Sequence, residues 1–229
     1  MKNTCAVILA AGVGSRMGAP VTKQKIEILG KTVLRRTLEA FEACESIGSI
    51  VIVTRADEME FARAQASGIT KLYNVTVGGN TRAESAACGF SVIPKDTDYV
   101  AIHDAARCLV TAEMISKVVL DAEMYGAATA ATRVTDTVKI VDKDGFVSST
   151  PDRNYVMLAS TPQVFSTIIY NKALSGVDLS DSKITDDNML VERIGVKVFC
   201  TDVGKRNIKI TTKSDIAYAN LLLKGECDE

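Results

Sequence analysis

Between Leu9 and Gln24 the chain gathers residue types suited to holding a polyphosphate. Leu9-Ala10-Ala11-Gly12-Val13-Gly14-Ser15-Arg16-Met17-Gly18 sets glycines at G-x-G-x-x-x-G spacing around an arginine, and Lys23-Gln24 follows closely. Glycine lets the backbone approach a ligand and adopt positive φ without a Cβ penalty. Successive N–H groups in such a loop make a concave anion nest, to which Arg16 and Lys23 add full positive charge. Two familiar phosphate loops fit poorly. A dinucleotide-binding turn has G-x-G-x-x-G, and here the last glycine comes one place late. A P-loop ends in Gly-Lys-Ser/Thr at its own spacing, which this loop does not supply. Spacing alone leaves a plain strand-to-helix turn open.

The remaining chemistry is bounded by composition. The single histidine, His103, is the only candidate imidazole base, and His-rich transition-metal sites are excluded. An enzyme built this way would run on carboxylates, cations and a hard metal such as Mg²⁺. Net charge is -1, so no global field draws the chain to nucleic acid or an anionic membrane, and phosphate binding must come from locally placed cations. Six cysteines lie scattered without a C-x-x-C pair, neither a zinc framework nor a disulfide scaffold. With no cleavage-site pattern and no membrane-spanning run, the expected location is cytoplasmic.

The elements that must position these residues alternate along the chain. Residues 4–10 read as an apolar buried strand, 31–43 as a helix, 47–54 as a β-branched strand, 57–66 as a short helix and 69–77 as a strand. Gly78-Gly79-Asn80 breaks that strand, and Thr81 with Glu84 has the spacing of a capping box opening a helix over 81–92. A strand over 99–103, a helix over 111–124 and a strand over 127–133 follow. Such alternation predicts an α/β fold, a mainly parallel sheet with helices on both faces. Ligands of such sheets sit at the carboxyl ends of strands where the topology switches. The glycine loop, Gly78 to Ser85 and His103-Asp104-Ala105-Ala106-Arg107 all fall at such ends.

Past Arg133 the pattern changes. Thr137 to Val141 and Phe146 to Thr150 flank Asp142-Lys143-Asp144-Gly145, a β-hairpin turning on Asp-Gly. A lone hairpin is barely stable in water, so residues 136–160 are expected to form an arm that packs on a partner subunit. The chain then returns through Thr161-Pro162-Gln163-Val164-Phe165. A helix from Thr185-Asp186-Asp187 to Arg193, strands over 196–200 and 207–211, and a helix over 214–224 stopped by Gly225 close the chain. No linker interrupts it, so residues 1–229 read as a single domain.

Taken together, L-A-A-G-x-G-x-R-M, the following K-Q, H-D-A-A-R, D-R-N, T-P-Q and N-I-K-I-T resemble the 2-C-methyl-D-erythritol 4-phosphate cytidylyltransferase family through nearly the whole chain. The resemblance implies a Rossmann-like nucleotidyltransferase fold whose arm clasps a twin in a homodimer. The implied reaction joins CTP to a sugar-alcohol phosphate with release of pyrophosphate, assisted by Mg²⁺. By motif match, Arg16 and Lys23 face the triphosphate, while Lys209 and the other subunit's Arg153 position the substrate phosphate. Asp104 is implied as a metal ligand or as the site's anchor through Arg107. Thr137, Thr161 and Thr185 match substrate-binding positions, the first two across the dimer. Reading of cytosine falls to backbone groups of Ala10, Ala11, Gly12 and Gly79, with Asn80 and Ser85, and Gly14 joins them in binding the nucleotide.

The chain departs from the family pattern at three of its positions. Asn80 stands where the family has Asp; an amide donates as well as accepts, so weaker discrimination of CTP from UTP is expected. Thr22 and Cys108 stand where it has proline, so looser loops around Lys23 and Arg107 are expected. Three other readings fit parts of the pattern: a pentitol-phosphate (ribitol 5-phosphate) cytidylyltransferase, an NAD-dependent dehydrogenase and a non-catalytic nucleotide-binding protein. Ala10-Ala11-Gly12 and Ala105-Ala106-Arg107 favour methylerythritol phosphate over the pentitol phosphate, the glycine spacing argues against NAD, and retention of Arg16, Lys23 and Lys209 argues for catalysis.

Overall fold

The computed structural model describes residues 2–12, 22–181 and 183–225. Among them the strands are β1 (Thr4–Leu9), β2 (Glu27–Ile28), β3 (Lys31–Thr32), β4 (Ser49–Thr54), β5 (Leu72–Val77), β6 (Tyr99–Asp104), β7 (Ala127–Arg133), β8 (Ile140–Val141), β9 (Val147–Ser149), β10 (Met157–Ser166) and β11 (Phe199–Asp202). The helices are α1 (Val33–Ala43), α2 (Met59–Gln65), α3 (Arg82–Phe90), α4 (Ala112–Tyr125), α5 (Thr167–Leu174), α6 (Asp187–Arg193) and α7 (Lys213–Lys224).

A seven-stranded sheet has the order β11-β7-β10-β6-β1-β4-β5. Strand β1 lies between β4 and β6, parallel to both, with Leu9 opposite Val53 on one side and Asp104 on the other. The chain therefore builds outward from β1 through β4 and β5, then returns to β1's other side with β6. That reversal is the topological switch point at which α/β sheets bind ligands. It brings together the residues that follow β1, β5 and β6.

Burial of both sheet faces explains the unbroken apolar runs. Ala6 and Ile8 of β1 join Leu34, Leu38 and Phe41 of α1 in one core cluster. Their alternate neighbours Cys5 and Val7 pack with Ala83 and Ala86 of α3, Phe165 and Tyr170 in another. Helix starts follow their local caps. The Thr81 hydroxyl accepts from the Glu84 N–H, and the Glu84 carboxylate closes the capping box. Thr32 and Thr111 cap α1 and α4, and Gly225 ends α7 at φ +70°.

Several expectations need correction. Strand β10 runs antiparallel between β6 and β7, with a register shift between Ala159 and Gln163, so the return of the chain at Thr161 to Phe165 is a central strand. Helix α5 has no counterpart in the sequence reading. Residues 207–211 form no strand; β11 already covers β7, and a hydrogen bond from Ile210 N–H to the Ala106 carbonyl (2.8 Å) holds the segment instead.

The arm hairpin is present as its own two-stranded ladder, β8 against β9. Its turn is a three-residue loop: Asp142 N–H donates to the Phe146 carbonyl, and Gly145 takes φ +90°. A β-turn closed by Gly145 N–H on the Asp142 carbonyl (3.2 Å) thus ends in a left-handed residue. Every residue from 139 to 150 is exposed.

Candidate active site

A cleft of about 470 Å³ opens at the switch point. Leu9, Ala11 and Gly12 line it after β1, and Lys23 and Gln24 line it from the short 3-10 turn Lys23–Lys25. Gly79, Asn80, Thr81, Arg82 and Ser85 contribute from the start of α3, Asp104 to Ala106 from the end of β6, and Lys209 and Thr211 from the 207–211 segment.

The first wall is the Gly78–Ser85 turn. A Cβ on Gly79 would lie 2.4 Å from the Glu84 Cβ, and one on Gly78 would lie 2.7 Å from the Ser85 Oγ. Glycine is needed here for close approach. The Glu84 carboxylate accepts from the backbone N–H of Asn80 (2.6 Å) and of Thr81 (3.2 Å). Ser85 turns its hydroxyl onto the Thr81 carbonyl (2.9 Å). Opposite, buried Gln24 donates its side-chain amide to the carbonyls of Ala10 and Gly12, tying the lysine turn to the glycine loop. Ala10 is buried, and its N–H donates to the Val53 carbonyl (2.7 Å). It supports the cleft wall from behind, its N–H and carbonyl both engaged within the protein.

The charged floor is a chain of alternating sign. Lys209 Nζ lies 2.7 Å from Asp104 Oδ2, and Arg82 Nε donates to Asp104 Oδ1 at 3.0 Å. Arg82 Nη1 donates to Asp187 Oδ2 at 2.6 Å, and the Tyr170 hydroxyl donates to Asp187 Oδ1, also at 2.6 Å. Asp187 is fully buried at the start of α6. Burial alone would raise the Asp104 carboxyl, but Arg82 and Lys209 override it and hold the group well below the usual carboxylate range. Burial likewise opposes the charge on Arg82, and the two carboxylates more than restore it.

This arrangement does not fit Asp104 as the seat of a divalent ion. Both of its oxygens already carry cations, and among the described residues no group of three or more His, Cys, Asp or Glu could hold a metal. The guanidinium on its carboxylate belongs to Arg82, not Arg107. Arg107 donates to the Asn207 carbonyl (2.9 Å) and lines a second hollow of about 580 Å³ with Arg133, Lys205 and Asn207.

The three threonines lie apart from this cleft. Thr161 is buried; its oxygen accepts from Asp104 N–H (3.0 Å) and its hydroxyl lies 3.0 Å from His103 Nδ1. Through these contacts it braces the end of β6 at Asp104. Thr185 is exposed and meets the sulfur of Met189. Thr137 and Arg153 are exposed at the arm, with Arg153 donating to the Thr135 carbonyl at 2.9 Å. Gly14 and Arg16 lie outside the described residues.

Sequence reasoning missed Arg82, Thr211 and Asp187. Arg82 carried a signal, since it shares a helix face with Ser85 at i, i+3. Asp187 carried none, because its partner is set by the fold. The looser loops expected at Thr22 and Cys108 find other anchors: the Thr22 hydroxyl donates to Glu58, and buried Cys108 packs with Ile28, Val33 and Ile210.

Lys23 and Lys209 converge beside the Gly78–Ser85 turn at the switch point of an α/β sheet, and the fold is that of a nucleotidyltransferase. Residues 4–225 match the family model of IspD, 2-C-methyl-D-erythritol 4-phosphate cytidylyltransferase. The enzyme of that name from Caldanaerobacter subterraneus subsp. tengcongensis is 40% identical over 97% of this chain and 99% of its own length. The one from Clostridium tetani is 38% identical over 98% and 92%. The crystal structure of 4-diphosphocytidyl-2C-methyl-D-erythritol synthase from Anaerococcus prevotii superposes with a TM-score of 0.87 at 32% identity, covering 97% of this chain and 96% of that one. The chain belongs to the 2-C-methyl-D-erythritol 4-phosphate cytidylyltransferase family.

Proposed function

We propose that this cleft joins CTP to 2-C-methyl-D-erythritol 4-phosphate, giving 4-diphosphocytidyl-2-C-methyl-D-erythritol and pyrophosphate for isoprenoid synthesis by the non-mevalonate route. The observation that carries the reading is the meeting of Lys23 and Lys209, from opposite ends of the chain, in one cleft beside the Gly79–Asn80 turn.

The nucleophile is a phosphate oxygen of the sugar alcohol, already ionised at neutral pH. It attacks the α-phosphorus of CTP, the bond to the β-phosphate breaks, and pyrophosphate leaves with the electron pair. No general base is required, and His103, fully buried, has no access to a substrate. The barrier is charge repulsion between two anions, so catalysis rests on alignment and on cations placed where charge develops. Lys23, together with Arg16, stabilises charge moving onto the pyrophosphate. Lys209, aimed by Asp104 and Arg82, receives the substrate phosphate. Backbone groups of Gly79 with Asn80 read the cytosine edge, and Ser85 braces that turn.

Arg153 and Thr137 complete the site from the arm of a second copy. The apolar side chains left exposed on the arm, Phe146 (72%) and Tyr155 (88%) among them, support a homodimer. Asp104, paired with Arg82 and Lys209, has no carboxylate oxygen to spare for Mg²⁺; such an ion, if bound with CTP, would supply further charge neutralisation. Among the described residues no helix is long and apolar enough to cross a membrane, and the five described cysteines are free. Reduced thiols support a cytoplasmic setting.

The test is pyrophosphate release with CTP across a panel of sugar-alcohol phosphates that includes ribitol 5-phosphate, repeated with Lys23→Ala. Methylerythritol phosphate should be preferred, and Lys23→Ala should slow turnover about 100-fold or more. Preference for ribitol phosphate, or full activity without Lys23, would overturn the reading.

A further inference from the structure

Lys23 stands on a turn of three residues, and a buried carboxylate outside the cleft holds both of that turn's flanks. Glu58 ends the short 3-10 turn Ala56–Glu58 that follows β4. It is only 3% exposed. Its Oε1 accepts from the Thr22 hydroxyl at 2.7 Å and lies 3.2 Å from Lys25 Nζ. Thr22 and Lys25 bracket Lys23-Gln24, and the Lys25 N–H closes the turn onto the Thr22 carbonyl at 3.0 Å. The Lys25 ammonium also sits 5.1 Å from the centre of the Phe61 ring. Glu58 Oε2 is buried and has no hydrogen-bond partner among the described residues.

Stability alone accounts poorly for this arrangement. A half-satisfied buried carboxylate is costly, and an apolar side chain of equal volume often serves a fold as well or better. A negative charge is also a poor choice beside a cleft for polyphosphate unless it does something there. What it does is geometric. A Lys side chain has four rotatable bonds and no directional fork, so its aim depends on how firmly the backbone beneath it is held. Gln24 fixes the inner side of that backbone against Ala10 and Gly12, and Glu58 fixes the outer side.

We propose that Glu58 is a positioning residue for phosphoryl transfer, acting through Thr22 and Lys25 to hold the turn that aims Lys23 into the cleft. The inference rests on the role given to Lys23 above.

Two independent perturbations test it. Glu58→Met keeps the volume and removes both contacts; Thr22→Val removes only the hydroxyl. Each should lower kcat about tenfold while leaving the KM for CTP within about threefold; Tm should be unchanged or higher in Glu58→Met and fall in Thr22→Val, which leaves the buried carboxylate one donor short. Thr22 lies at φ -66° and ψ 151°, angles that proline adopts without strain. Thr22→Pro fixes the same backbone covalently and should return kcat to within about threefold of the parent enzyme. A merely structural Glu58 gives the opposite pattern, with Tm falling and kcat per folded enzyme unchanged. Lys23→Ala is measured alongside. If it abolishes turnover while Glu58→Met and Thr22→Val do not change kcat, positioning by Glu58 is refuted and the role of Lys23 stands. If Lys23→Ala is active, that role fails first and takes this inference with it. Should Glu58→Met fail to fold, the Thr22→Val and Thr22→Pro pair decides, and equal kcat in those two refutes the proposal.

Discussion

The one histidine should make this protein acid-sensitive well above the pH at which carboxylates matter. His103 is the only histidine in the chain and is fully buried in β6. Its Nε2 lies 3.3 Å from the Arg107 carbonyl, its Nδ1 lies 3.0 Å from the Thr161 hydroxyl, and its ring packs 4.9 Å from Phe41. The Arg107 carbonyl can only accept, so Nε2 carries the hydrogen of the neutral imidazole and Nδ1 accepts from the Thr161 hydroxyl. Burial, with Arg107 and Arg82 nearby, lowers the folded pKa to about 3 despite the opposing charge of Asp104. In the unfolded chain the group titrates near 6.5. The unfolded state therefore binds a proton first as pH falls. The stabilisation is whole above about pH 6.5 and is lost progressively down to about pH 3, at about 1.4 kcal/mol per pH unit. At about pH 5 the loss is about 2 kcal/mol, or roughly 4–8 °C in Tm for a chain of this size. Asp104, Glu39, Glu42 and Asp215 all have lowered pKa values, so their contributions fade only below the ordinary carboxylate range near 4. The window between about pH 6.5 and 4.5 belongs to His103. Urea unfolding at fixed protein concentration across that window measures it, with His103→Gln as the non-titrating control. Stability independent of pH across the window, or the same slope in His103→Gln, would refute the reasoning.

Other perturbations bear on the site and the arm. Asn80→Asp replaces an amide that donates and accepts with a pure acceptor suited to the exocyclic amine of cytosine; selectivity for CTP over UTP should rise about tenfold, one hydrogen bond of ~1.4 kcal/mol, read from the ratio of kcat/KM values. Asp187→Asn leaves Arg82 with one carboxylate partner where it had two; calorimetry should show a loss of about 3 kcal/mol, and the KM for the sugar-alcohol phosphate should rise as Asp104 and Lys209 lose their brace. Phe146→Asp charges a side chain that is 72% exposed; sedimentation should show a shift toward monomer, with no change in far-UV circular dichroism.

Sequence alone determined the features that depend on neighbours within a turn or on strand period. The apolar runs at β1, β4 and β6 require a sheet buried on both faces, and Thr81 with Glu84 starts α3 where its capping box closes. Asp144-Gly145 turns the arm because Gly145 accepts φ +90°, and Lys23 and Lys209 were legible through their motifs and do meet in one cleft. Only the tertiary structure decided what pairs at a distance. It threaded β10 antiparallel between β6 and β7, held residues 207–211 as an irregular segment that still points Lys209 at Asp104, and chose Arg82 over Arg107 as the guanidinium on that carboxylate. It also turned Thr161 inward and set Glu58 against Thr22. The physical reason is range. A cap or a turn is settled by backbone atoms a few residues away, whereas an ion pair such as Arg82 with Asp187 exists only after the chain between them has folded and excluded water from both charges.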